Sequence, residues 1–96
     1  MGHKLPPGQL ELYKKLDEIL LTEWDPIGVG GIAEARDEYH AYLPHVFRLA
    51  LQGESENKIA EYLLWVETER MGLSGDRLKC KRIAGVILRT KKELGL

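Results

Sequence analysis

The chain has one cysteine, Cys80, one phenylalanine, and no apolar run near the ~18 residues that a membrane-spanning helix needs. A single thiol excludes an internal disulfide and falls short of a thiol pair. A reducing cytoplasm is therefore the expected setting. The N-terminus lacks an apolar signal-peptide core, and Pro6 stands where myristoylation calls for Ser or Thr. Segments that alternate apolar and polar residues with period two are missing, as are internal repeats and low-complexity tracts. A sheet protein is not expected.

What is present suits an ordinary globular domain: 44% hydrophobic and 30% charged residues argue against disorder. One helical domain spanning 1–96 is expected, with residues 1–8 as an N-terminal extension. The net charge of −1 hides an asymmetry. Residues 1–75 hold 7 Lys/Arg against 13 Asp/Glu, and residues 76–96 hold 7 against 2. A basic C-terminal segment raises nucleic acid as a partner to be weighed.

Helical spacing recurs in four segments. Leu12, Tyr13, Leu16, Ile19, Leu20 and Trp24 share a face, so a first helix is predicted from about Gln9 to Trp24. It ends at Asp25-Pro26, because the residue before proline is pushed out of the α region. Tyr39, Leu43, Val46 and Ala50 predict a second helix from about Ile32–Ala33 to Gly53. Their phase runs through Pro44 unchanged, so that helix is predicted to kink there and continue. Ser55 caps a third helix, with Ile59, Tyr62, Leu63 and Val66 inward and Gly72 as its stop. Ser74 or Asp76 caps a fourth, whose inner face is Cys80, Ile83, Ala84, Ile87 and Leu94. The fold class is all-α: a small four-helix up-and-down bundle with a kinked second helix.

Candidate sites gather in WDPIGVGGIAEARDEYHAYLP, Trp24 to Pro44. Its glycines precede a helix, as in phosphate loops, but a helix and not a strand comes before them. They read as a chain reversal. Asp37 and His40, three apart, could share a metal, yet zinc needs three or four converging ligands. No metal or cofactor is expected, and the nucleophiles Ser55, Ser74 and Cys80 stand without an obvious base. The reading leans away from an enzyme. Arg70 falls in line with Ile59, Leu63 and Val66, so it is expected to be buried and paired with Asp25, Asp37 or Glu38.

Two surfaces bear on partners. Trp65 with Leu64 widens the third helix's apolar face, either for deeper burial in the bundle or to meet another chain. Lys81, Arg82 and Arg89 could contact phosphate, but the helix lacks aromatics and the pI is near 6.3. The leading expectation is a non-enzymatic module that binds another protein; a homodimer stays open, and no membrane is involved. A nucleic-acid-associated regulator is the alternative, with a metal-dependent enzyme behind it.

The segments Trp24-Asp25-Pro26-Ile27-Gly28-Val29, Asp37-Glu38-Tyr39, Tyr42-Leu43-Pro44, Tyr62-Leu63 and Glu67-Thr68-Glu69-Arg70-Met71-Gly72-Leu73 have a further use. Together they resemble the YugE-like proteins, a family of short, uncharacterised Gram-positive bacterial proteins (a domain of unknown function). The likeness covers about residues 10–74 and departs from the usual pattern at His40, where aspartate is common. It implies a helical fold and a bacterial cytoplasmic source, and carries no activity with it.

Overall fold

The computed structural model describes residues 5–96. Pro7 opens helix α1 (Pro7–Glu18), at the first helical position, where a missing N–H costs nothing. The expected start at Gln9 is thus two residues late, and Met1 to Lys4 lie outside the described residues. The helix then widens into a π-helical turn, Ile19–Trp24. The widening lets Ile19, Leu20, Leu21 and Trp24 all reach the interior, four residues of six. Thr22 helps by donating its hydroxyl to the Glu18 carbonyl at 2.7 Å, a back-bond that bends helices.

Asp25 stops α1 in the left-handed region, at φ 32°. Beyond it the second helix departs from expectation. Residues 33–42 form a short 3-10 turn, Ala33–Ala35, and then successive i→i+3 turns, such as His40 N–H to the Asp37 carbonyl at 3.1 Å. Helix α2 (Leu43–Leu51) begins only at the proline. Pro44 therefore starts the helix and does not kink it. Its ring would clash with the carbonyl four residues back, so the helical path ahead of it is closed, whereas the first turn accepts it freely. Tyr39 and Leu43 both still point inward, which is why the apolar phase misled the sequence reading.

Ser55 caps α3 (Glu56–Trp65) by accepting the Lys58 N–H at 3.2 Å. This helix also ends in a π-helical turn, Val66–Arg70, with the Met71 N–H bonded to the Val66 carbonyl at 3.0 Å. Thr68 repeats the role of Thr22, donating to the Leu64 carbonyl at 3.1 Å. Asp76 caps α4 (Arg77–Glu93) through the Lys79 N–H at 3.0 Å.

The result is an all-α four-helix bundle. Among the described residues there is no strand, and no helix is long and apolar enough to cross a membrane. Helices α3 and α4 pack most extensively, α1 lies against α2 and α4, and α2 against α3. Leu12, Leu16, Trp24, Val46, Ile59, Leu63, Ile83 and Ile87 are wholly buried in one continuous core drawn from every helix.

Candidate functional site

The π turn of α3 decides which charged side chains face inward. Glu67 lies four residues after Leu63 and seven after Ala60, on the inner stripe, and it is only 2% exposed. The turn then spends an extra residue, so everything after it lags by roughly 100°, one residue's rotation. Arg70, which straight α-spacing would send to the core, comes out into solvent. The expected ion pair with Asp25, Asp37 or Glu38 is absent: Arg70 is in no ion pair among the described residues. The buried charge of this helix is Glu67.

Three donors hold Glu67. Trp24 Nε1 donates to Oε2 at 2.7 Å, the Cys80 thiol to the same oxygen at 3.2 Å, and the Asp76 backbone N–H to Oε1 at 2.8 Å. Acceptors only suit donors only, so the group is fully satisfied without a cation. Burial first, then the hydrogen bond and charge of Glu67, push the Cys80 thiol up to about 12. A thiol so held is a poor nucleophile. A cleft of about 350 Å³, lined by Pro26, Leu73, Ser74, Gly75, Asp76 and Lys79, opens beside Glu67. Glu67 lines that cleft but is nearly closed off from solvent, its Oε2 accepting two donors and its Oε1 one.

Asp25 does serve a structural cluster, though with other partners. Its Oδ1 accepts the Tyr39 hydroxyl at 2.7 Å and the Val29 N–H at 2.8 Å, and Oδ2 accepts the Gly30 N–H at 2.9 Å. Burial opposes the ionised form, but the hydrogen bonds from Tyr39, Val29 and Gly30 outweigh it, and Asp25 stays below its ordinary value. Tyr39's phenol is pushed up by burial and by its bond to Asp25. Asp37 and Glu38 are exposed and take no part. His40 reaches back to α1, with Nε2 3.0 Å from Asp17 Oδ1, so Asp37 and His40 do not converge. No group of three metal-ligating side chains occurs among the described residues.

An aromatic strip lies where α2 meets α3. The His45 ring sits 4.2 Å from that of Tyr62, and Tyr62 stacks on Trp65 at 6.0 Å and 24°. Trp65 is 49% exposed. Leu64 does not share this surface: it turns toward Gly75, where an added Cβ would lie 2.9 Å from Leu64 Cδ1. The candidate pairing of Trp65 with Leu64 therefore gives way to Trp65 with Tyr62 and His45. Nothing in the sequence marks His45 for this contact, because its neighbour lies on another helix. Burial first, and Tyr42 with it, raises the Tyr62 phenol, while the charges of Arg70 and Arg48 oppose that rise.

Comparisons with protein families, curated proteins and solved structures find no match. The functional reading therefore rests on the side chains.

Lys81, Arg82 and Arg89 are exposed on α4, as the sequence suggests. The face is partly neutralised. Arg82 approaches Glu23 at 3.8 Å, and Arg77 pairs with Glu61 at 3.1 Å. Such pairs compete with phosphate for the same guanidinium groups.

Proposed function

We propose that this chain is a non-enzymatic helical module that binds another protein through the His45–Tyr62–Trp65 strip. The observation that carries this reading is the stacked, half-exposed Trp65 on a helix whose other large apolar residues are turned inward. Tryptophan, tyrosine and arginine dominate the energetics of protein interfaces, since they bury much area while losing little rotamer freedom. A rigid bundle presents such a strip already ordered, which lowers the cost of association. The same proposal takes the chain as a bacterial cytoplasmic protein, on the segments that resemble the YugE-like proteins.

The test is capture from native lysate with wild-type protein and with Trp65→Ser. A specific protein retained by the wild type and lost from the variant, with unchanged helicity, supports the reading. If both forms retain the same proteins, or only nucleic acid is retained, the reading fails.

A further inference from the structure

We infer that residues 26–38 form a loop that opens as one unit while the four helices stay folded, with the Asp25 carboxylate as its latch.

Buried apolar side chains and hydrogen bonds to neighbouring elements keep a segment shut, and a segment with few of either opens well before the whole molecule unfolds. None of residues 26–38 is buried. Of their larger apolar side chains only Val29 rests against the core, while Ile27 and Ile32 are 39% and 49% exposed. Every hydrogen bond these residues make among the described residues ends within 25–40. The Gly28 N–H meets the Asp25 carbonyl at 3.2 Å, Ile32 meets Val29 at 3.0 Å, and Glu38 meets Ala35 at 3.0 Å. None of them joins an ion pair there.

The loop is held at its root. Asp25 Oδ1 accepts from the Tyr39 hydroxyl and the Val29 N–H, Oδ2 accepts from the Gly30 N–H, and the Tyr39 oxygen accepts the Ile27 N–H at 3.2 Å. One carboxylate thus gathers both ends of the loop and its middle. Asp25 meets these donors at φ 32°, the one non-glycine residue with positive φ among the described residues, so the latch closes against backbone strain. Outside it, His40 Nε2 stands 3.0 Å from Asp17 Oδ1 in an exposed contact that adds little.

Because ends and middle share one anchor, losing it frees them together and not residue by residue. The release reaches inward. Pro26 lines the cleft beside Glu67, and the buried Tyr39 ring lies 5.3 Å from that of Trp24. An open loop takes Pro26 off the cleft and loosens the cover of Tyr39 on Trp24. The cleft widens while the Trp24–Glu67 bond holds behind it.

The experiment is native-state hydrogen exchange of the whole protein, followed by NMR across low urea concentrations. The Ile27, Val29, Gly30 and Ile32 amides should share one opening free energy, with a urea slope well below that of the Ile83, Ala84 and Ile87 amides in α4. The Trp24 indole N–H should exchange with α4. Tyr39→Phe removes one donor to the latch and should speed Gly30 as much as Ile27, about tenfold, although Gly30 does not touch Tyr39. Loop amides that follow the α4 slope would overturn the inference, since the loop would then open only with the bundle. Unequal free energies along the loop would overturn it in favour of fraying. Acceleration of Ile27 alone in Tyr39→Phe would remove Asp25 as the latch. Exchange of the Trp24 indole with the loop would overturn an opening that leaves the helices folded. The wild-type slopes decide the matter even where the variant fails to fold.

Discussion

Trp24 Nε1 donates to Glu67 Oε2 across 2.7 Å, joining two helix ends that are 43 residues apart in sequence. Both partners sit in π-helical turns, at the C-terminal ends of α1 and α3. Both are essentially without solvent contact. The bond is therefore charge-assisted and shielded, the condition under which one hydrogen bond matters most.

Removing either partner should be costly. Trp24→Phe leaves Glu67 short of a donor, and Glu67→Gln turns an amide N–H toward a donor. Each is expected to lower stability by about 2–4 kcal/mol, the range for a buried bond to a charged group plus an orphaned partner. Urea denaturation of the two single variants and the double variant checks this. The cycle should show a coupling of about 1 kcal/mol or more, and additivity would contradict it.

Cys80 gives an alkaline signature. Its thiol ordinarily ionises near 9.0 and is held up to about 12 in the fold. Below pH 9 both states keep the proton and the fold is fully stable in this respect. Between 9 and 12 the unfolded chain ionises while the folded one resists, so stability should fall by roughly 1.4 kcal/mol per pH unit. Cys80→Ala should lessen that slope most clearly between pH 9 and 10, below the ordinary ionisation of Tyr39, which burial also raises. At pH 8, alkylation by iodoacetamide should proceed only as fast as the protein opens, and rapid labelling of folded protein would argue against the buried thiol.

Asp25 gives the opposite limb. Its carboxyl lies below the ordinary 3.8, because the Tyr39, Val29 and Gly30 donors overcome its burial. That stabilisation is present above pH 3.8 and disappears as pH falls through the folded value. Asp25→Asn should be less stable at pH 7 by about 1–2 kcal/mol. The gap from wild type should close under acid, as measured by thermal unfolding across pH 2–6. A constant gap would mean that the carboxylate is not the source.

Glycines in the corner should differ sharply from one another. A Cβ on Gly30 would lie 2.7 Å from the Leu21 carbonyl oxygen and 2.9 Å from Asp25 Oδ2. Backbone cannot yield cheaply, so Gly30→Ala should cost about 1–3 kcal/mol. Gly31 has open space and no left-handed φ, so Gly31→Ala should be within about 0.5 kcal/mol of wild type. Equal melting temperatures for the two variants would refute the close approach.

Arg70→Met distinguishes a surface charge from a buried pair. The exposed position should tolerate it within about 0.5 kcal/mol in chemical denaturation. A loss of several kcal/mol would restore the ion pair that α-spacing suggested.

Regular periodicity was readable and its interruptions were not. Leu12, Leu16, Leu20 and Trp24 lie inside as their spacing requires, and Ser55, Gly53 and Gly72 cap or stop helices as their chemistry dictates. Pro44 was misplaced because continuous phase says which way a residue points, not whether the backbone there is helical. Arg70 was misplaced because a 3.6-residue count assumes no inserted residue. Signals for Glu67 did exist: its four-residue step from Leu63, and a threonine in each π turn, Thr22 and Thr68, ready to take a freed carbonyl. The His45–Tyr62 contact joins two helices and leaves no trace in either one's own pattern.

The π turn at Val66–Arg70 also makes α3 a helix read in two frames. Residues up to its start set the inner stripe of Ile59, Leu63 and Val66, and Arg70 at its end leaves that stripe for solvent. Deleting one residue there would merge the frames and swing Arg70 toward the core, loading the core with a charge. Chain length in this turn is thus as tightly constrained as any side chain. An insertion or deletion of one residue should harm the molecule more than most substitutions on its surface.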